Sequence, residues 1–136
     1  MRLLIDTNIY LEVLLEQARS DECRQLLAAV DEHEFFLSDF SLHSIGLKPI
    51  AQQQFTAFAD FVNDMVIRAG TTVLSCSVSD LEAVVQAAQQ FNLDFDDAYQ
   101  YRLAEKETLQ LVSFDGDFDH TPRGRKTPAE LLTGLH

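Results

Sequence analysis

Positive charge is scarce in this chain: ten lysines and arginines stand against 22 aspartates and glutamates, a formal net charge of -12 over 136 residues. A field of that sign repels nucleic acid at long range and concentrates cations. A polyanionic substrate would therefore need a bound metal ion or a local basic patch, and a basic partner would be favoured. Cysteine is almost missing too. Cys23 and Cys76 sit on apolar-periodic segments with no second cysteine or histidine at ligand spacing, which argues against a thiolate metal site and for two reduced core thiols. No apolar run reaches membrane-spanning length, and the opening residues carry Asp6 and Glu12 without a small-residue cleavage site, so a cytoplasmic protein with no membrane partner is expected. Repeats, linkers and low-complexity tracts are absent as well. With 46% apolar residues, 1–136 read as one domain with its own core.

What is present alternates between two periodicities. Arg2-Leu3-Leu4-Ile5 is a short apolar run ended by Asp6, Thr7 and Asn8, the pattern of a buried parallel strand that delivers a carboxylate at its C-terminal end. Ile9 to Gln17 fits a short, largely buried helix. Ser20 opens another, with Cys23, Leu26, Leu27 and Val30 in one stripe and an end near Asp31. Strand two is read at Glu34 to Ser38. Asp39 or Ser41 would then cap a helical turn carrying His43 and Ser44, stopped by Gly46 and Pro49.

Gln52 to Ala69 carries a stripe of Phe55, Phe58, Val62 and Met65, a core-facing helix or a dimer contact, and Thr71 to Cys76 reads as strand three. Ser79-Asp80-Leu81-Glu82 matches a capping box for a helix with Leu81, Val84, Val85, Ala88 and Phe91 inward. Asp94, Asp96 and Asp97 crowd the start of a further helix, where the macrodipole is positive. Leu109 to Phe114 is strand four, followed by Asp115, Asp117 and Asp119, and Thr127-Pro128 opens a last turn. Alternating strands and helices imply an α/β fold with a parallel sheet covered on both faces, its strand C-termini on one edge.

Asp6, Asp97 and Asp115 fall on that edge, and three carboxylates there suit a hard divalent cation such as Mg²⁺ or Mn²⁺. Each has a plainer reading. Asp6 equally suits a helix cap, Asp115-Gly116-Asp117 equally suits a turn, and Asp94 and Asp96 suit dipole partners or solvated acids. His33, His120 and His136 read as surface or loop residues.

The opening Leu4-Ile5-Asp6-Thr7-Asn8, the central Asp97-Ala98-Tyr99 and the late Ser113-Phe114-Asp115-Gly116-Asp117-Phe118 together make the sequence resemble the PIN domain family, the metal-dependent ribonuclease domain of VapC-type toxins. The resemblance implies a three-layer α/β/α sandwich with a central parallel sheet. It also implies Asp6, Asp97 and Asp115 as catalytic, metal-binding acids, with Asp117 as a fourth ligand. Asn8 would orient Asp6, and Thr7 or Ser113 would touch substrate or a water beyond the ligands. The family usually places a glutamate on the helix after strand two; Ser44 stands there, with His43 and Asp39 the nearby residues able to act as ligand or base.

The function so implied is a Mg²⁺- or Mn²⁺-dependent endoribonuclease, the toxin half of a type II toxin-antitoxin pair. An RNA substrate, a cognate antitoxin and a homodimer go with it. Arg123, Arg125 and Lys126, the sole basic cluster, are candidates for RNA phosphate contacts or for a solvated loop. The alternative is a PIN-like protein of weakened catalysis that serves as a binding module, motivated by Ser44 and the charge. A phosphatase or phospho-receiver fits less well, because Asn8 stands where the former wants an aspartate and Gly116 where the latter wants a lysine.

Overall fold

The computed structural model describes residues 1–133 of the chain; His136 lies outside them. Four strands form its sheet: β1 (Arg2–Ile5), β2 (Glu34–Ser38), β3 (Thr72–Leu74) and β4 (Gln110–Val112). All pair in parallel, in the order β3-β2-β1-β4. The chain winds outward from β1 through β2 to β3, then returns to lay β4 on the other side of β1. That reversal creates a switch point between β1 and β4, where neighbouring crossovers diverge and leave a crevice at the strand C-termini.

Side chains alternate across the pleat, and both faces are buried. Leu3, Ile5, Phe35, Leu37 and Val112 face one core, covered by α1 (Thr7–Leu14), α2 (Ser20–Ala28), α3 (Asp39–Ala51), α4 (Phe55–Phe61) and α7 (Pro128–Leu132). Leu4, Phe36 and Leu111 face the other, covered by α5 (Leu81–Phe91) and α6 (Phe95–Glu107). The result is a three-layer α/β/α sandwich.

Several local expectations are corrected. Gly46 and Pro49 do not stop α3, which runs on to Ala51. Gly46 serves close approach instead: a Cβ there would lie 2.9 Å from Phe58 Cζ, so its absence lets α3 and α4 pack against each other. Pro49 falls in the last turn, where it costs α3 one bond to the Ile45 carbonyl and the helix continues for only two residues beyond it. Ser38, not Asp39 or Ser41, caps α3, its Oγ accepting from the Ser41 N–H at 2.9 Å.

The helix expected over 52–69 is α4 continued by a π-helical stretch, Val62–Ile67. Phe58, Phe61, Val62, Met65 and Val66 pack on the core, while Phe55 is exposed. The capping box is made by Ser77 and Asp80, one pair earlier than read from sequence. In α5 Val84, Ala88 and Phe91 face the core as expected and Ala87 joins them, whereas Leu81 and Val85 are exposed. Val30 lies beyond the end of α2 and is exposed, and His33 is buried, its Nδ1 3.3 Å from the N-terminal amine.

Candidate metal centre

Every acid in the crevice is held by the start of a helix. Asp6 ends β1 in extended backbone and caps α1, its Oδ1 accepting from the Thr7 N–H at 2.8 Å. Asp94 caps α6 by accepting from the Asp97 N–H at 2.9 Å, which fixes Asp97 in the first turn. Asp115 follows β4 and caps a one-turn 3₁₀ helix, Gly116–Phe118, accepting from the Asp117 N–H at 2.8 Å. The capping readings are therefore correct without excluding a site: the same carboxylates converge. One oxygen from each of Asp97, Asp115 and Asp117 lies within 4.8 Å of the other two.

Asp6 sits deeper, 7% exposed and saturated with donors. Its Oδ1 also accepts from Gln100 Nε2 at 3.0 Å, and its Oδ2 accepts from Ser113 Oγ at 2.6 Å and from Asn8 Nδ2 at 3.5 Å. Among the described residues it is outside the triplet of Asp97, Asp115 and Asp117, yet it lines the same 330 Å³ pocket as Asp97, Asp115, Asn8, Thr7 and Ser44. Asp94 and Asp96 line that pocket as well.

Crowding shows in the protonation equilibria. Burial, then the charges of Asp115 and Asp94, a hydrogen bond with Asp115 and the charge of Asp6 push Asp97 up to about 8. Burial also raises Asp6, offset in part by the hydrogen bonds from Ser113, Gln100 and Thr7. Carboxylates that repel one another across a few ångströms, all offering oxygen, are the donor set of a hard divalent cation, whose charge would relieve the repulsion. The residues present thus fit such an ion.

The remaining sequence candidates divide. Thr7 and Asn8 line the pocket: Thr7 Oγ1 donates to Ser41 Oγ at 2.8 Å, Asn8 Oδ1 accepts from the Phe114 N–H at 3.2 Å, and Asn8 Nδ2 donates at 3.2 Å to Ser113 Oγ, which is fully buried behind the wall. Ser44 faces the pocket; His43 is exposed and lines an apolar groove with Leu42, Leu47 and Phe58. Arg123 donates to the Leu109 carbonyl at 3.2 Å, beside the start of β4 at the opposite edge of the sheet. Arg125 pairs with Asp119 at 2.9 Å and donates to the Ser113 carbonyl at 3.1 Å. Lys126 runs its main chain along β4, its N–H donating to the Leu111 carbonyl at 2.9 Å.

One residue behind the pocket escaped the sequence reading. Gln100 Nε2 bridges Asp6 and, at 2.7 Å, Ser41 Oγ, while its Oε1 is buried without a partner among the described residues. The signal was there: Gln100 follows Asp97 by three residues and so shares its face of the helix, and it is the polar residue among the buried Ala98, Tyr101 and Ala104.

A parallel sandwich with carboxylates gathered at the switch point of its sheet defines an α/β domain with a cation-type acidic edge. More particularly, the chain belongs to the PIN domain family, whose model matches residues 3–124. No curated protein matches the sequence. Among solved structures, VapBC2 from Rickettsia felis, bound to a DNA fragment from its promoter, is similar at a TM-score of 0.72 and 13% identity, over 93% of this chain and 97% of that one. A toxin-antitoxin complex from Klebsiella pneumoniae is similar at 0.68 and 26%, over 93% and 97%. VapC20 of Mycobacterium tuberculosis, a toxin that cleaves the sarcin-ricin loop, is similar at 0.71 and 18%, over 89% and 95%.

Proposed function

We propose that the chain is a Mg²⁺- or Mn²⁺-dependent endoribonuclease that hydrolyses RNA phosphodiester bonds, the toxin of a type II toxin-antitoxin pair. The observation that carries this reading is the approach of Asp97, Asp115 and Asp117 within 4.8 Å at the switch point, with Asp6 lining the same pocket. When bound, a divalent ion there supplies Lewis-acid polarisation of a phosphoryl oxygen and a water of lowered pKa.

Asp97, Asp115 and Asp117 are the groups that would hold the ion. Asp6, gripped by Ser113, Gln100, Thr7 and Asn8, is held in one orientation behind them and orients water or ligand. Ser44 puts a hydroxyl where the family usually has a glutamate, so α3 offers the pocket a neutral hydrogen-bonding group in place of charge. Cleavage of single-stranded or structured RNA should require Mg²⁺ or Mn²⁺ and vanish with EDTA and in Asp97→Asn and Asp115→Asn. Cleavage that persists in either variant overturns the reading.

The partner fits as well. α3 and α4 leave an apolar groove of about 600 Å³, with Leu47 and Ile50 exposed beside it and Phe55 exposed on the neighbouring turn. Such a patch favours a protein partner, an antitoxin or a second copy. The similarity to toxin-antitoxin complexes supports the former. Ser44 and the -12 charge favour a second reading, a binding module without turnover. Calorimetry separates them: heat of Mn²⁺ binding that disappears in Asp115→Asn supports the nuclease, and no heat at millimolar metal supports the module.

A further inference from the structure

A chain of charge -12 that handles RNA must bring some positive charge to the acidic pocket, and most of its ten basic residues are spent elsewhere. Arg102 and Lys106 are bound to Asp80, Arg2 to Glu34, Arg68 to Asp64, Arg125 to Asp119, Arg24 to the Val13 carbonyl, and Arg123 to a carbonyl at the far edge of the sheet. Arg19 is different. Its guanidinium carbon lies 3.6 Å from the centroid of the Phe114 ring, and it has no carboxylate partner among the described residues.

Both ends of Arg19 are fixed by the site's own framework. Its N–H donates to Oε2 of the buried Glu12 at 2.9 Å, at the turn between α1 and α2. Phe114, the seat for the guanidinium, stands between Ser113, which holds Asp6, and Asp115, and its N–H is tied to Asn8 Oδ1 at 3.2 Å. A guanidinium lying flat on a ring keeps its N–H groups in the plane, free to point outward at a bidentate acceptor. Arg19 is exposed, so those donors meet solvent.

We propose that Arg19, seated on Phe114 beside the acidic pocket, binds a backbone phosphate of the RNA strand. The inference rests on the nuclease reading above and adds to it a specific phosphate contact. It assigns the strand's path to the side of the pocket bounded by the α1–α2 turn. The contact is independent of base identity, so it positions the strand without selecting its sequence.

The test is fluorescence anisotropy of a labelled single-stranded oligoribonucleotide against the full chain, with Ca²⁺ in place of Mg²⁺, across a salt series. Arg19→Gln should weaken binding roughly tenfold, the size of one hydrogen bond to a charged group. It should also lower the slope of log affinity against log salt by about 0.7, one phosphate on a single strand. Arg19→Lys should keep the slope, and Phe114→Leu, which removes the seat, should lose affinity. Lys48→Gln, an exposed cation elsewhere on α3, should bind like the wild type. Wild-type slope and affinity in Arg19→Gln overturn the proposal while leaving the nuclease reading standing. A wild-type chain that binds no RNA under any of these conditions overturns both.

Discussion

Asp97 concentrates the chemistry of the pocket in one side chain. Its folded-state pKa of about 8 exceeds the ordinary 3.8, so between those values the folded, metal-free chain holds a proton that the unfolded chain has lost. Stability therefore falls as pH rises from about 4 to 8, because the folded state binds more protons in that window. Urea midpoints of EDTA-treated protein should decline across it, and Asp97→Asn should flatten the decline. Added Mn²⁺ should raise the midpoint most at the upper end, where the carboxylates are free to bind it.

Gln100 makes a second residue-scale prediction. Gln100→Leu removes one buried donor from Asp6 and one from Ser41, leaving Asp6 to Thr7, Ser113 and Asn8 and Ser41 to Thr7. The expected loss is about 1–3 kcal/mol of stability by urea unfolding, together with weaker Mn²⁺ binding by calorimetry. Unchanged metal affinity would confine Gln100 to a packing role.

Helices and strands differ in how far they could be read from the chain. Strands β1, β2 and β4 were legible because each is a short apolar run ended by a polar residue, and Asp6, Asp97 and Asp115 were legible as strand and helix ends that share an edge. Gly46 was misread because a glycine in a helix signals a stop only when nothing packs on it, and Phe58, twelve residues later, is invisible to a local pattern. Adding a methyl group there forces α3 and α4 apart; Gly46→Ala should cost about 1–3 kcal/mol by thermal or urea unfolding, and Gly46→Ala with Phe58→Leu should recover part of it. Ser77 took the capping role expected of Ser79 because the pairing with Asp80, itself fixed by Arg102 and Lys106, depends on α6. Gln100 and Arg19 went unread for the same reason: the partners that give them meaning are far away in sequence.

Across the whole molecule, the excess of acids acts as a distributed field. Repulsion among them opposes the compact state and is screened by salt, whose Debye length shrinks from about 30 Å at 0.01 M to about 10 Å at 0.1 M. The thermal midpoint should climb over that interval, and Mg²⁺ at equal ionic strength should add a further rise that Asp115→Asn abolishes. The two margins of the sheet contrast. Lys126 bridges alongside Val112, so the outer side of β4 is already hydrogen-bonded, whereas β3 is the last strand on its side and leaves Val73 exposed. Unpaired amides on an outermost strand invite another chain to stack there. If the protein is stressed into self-association, molecules should accrete through that one flank, and a lysine in place of Val73 should slow the growth.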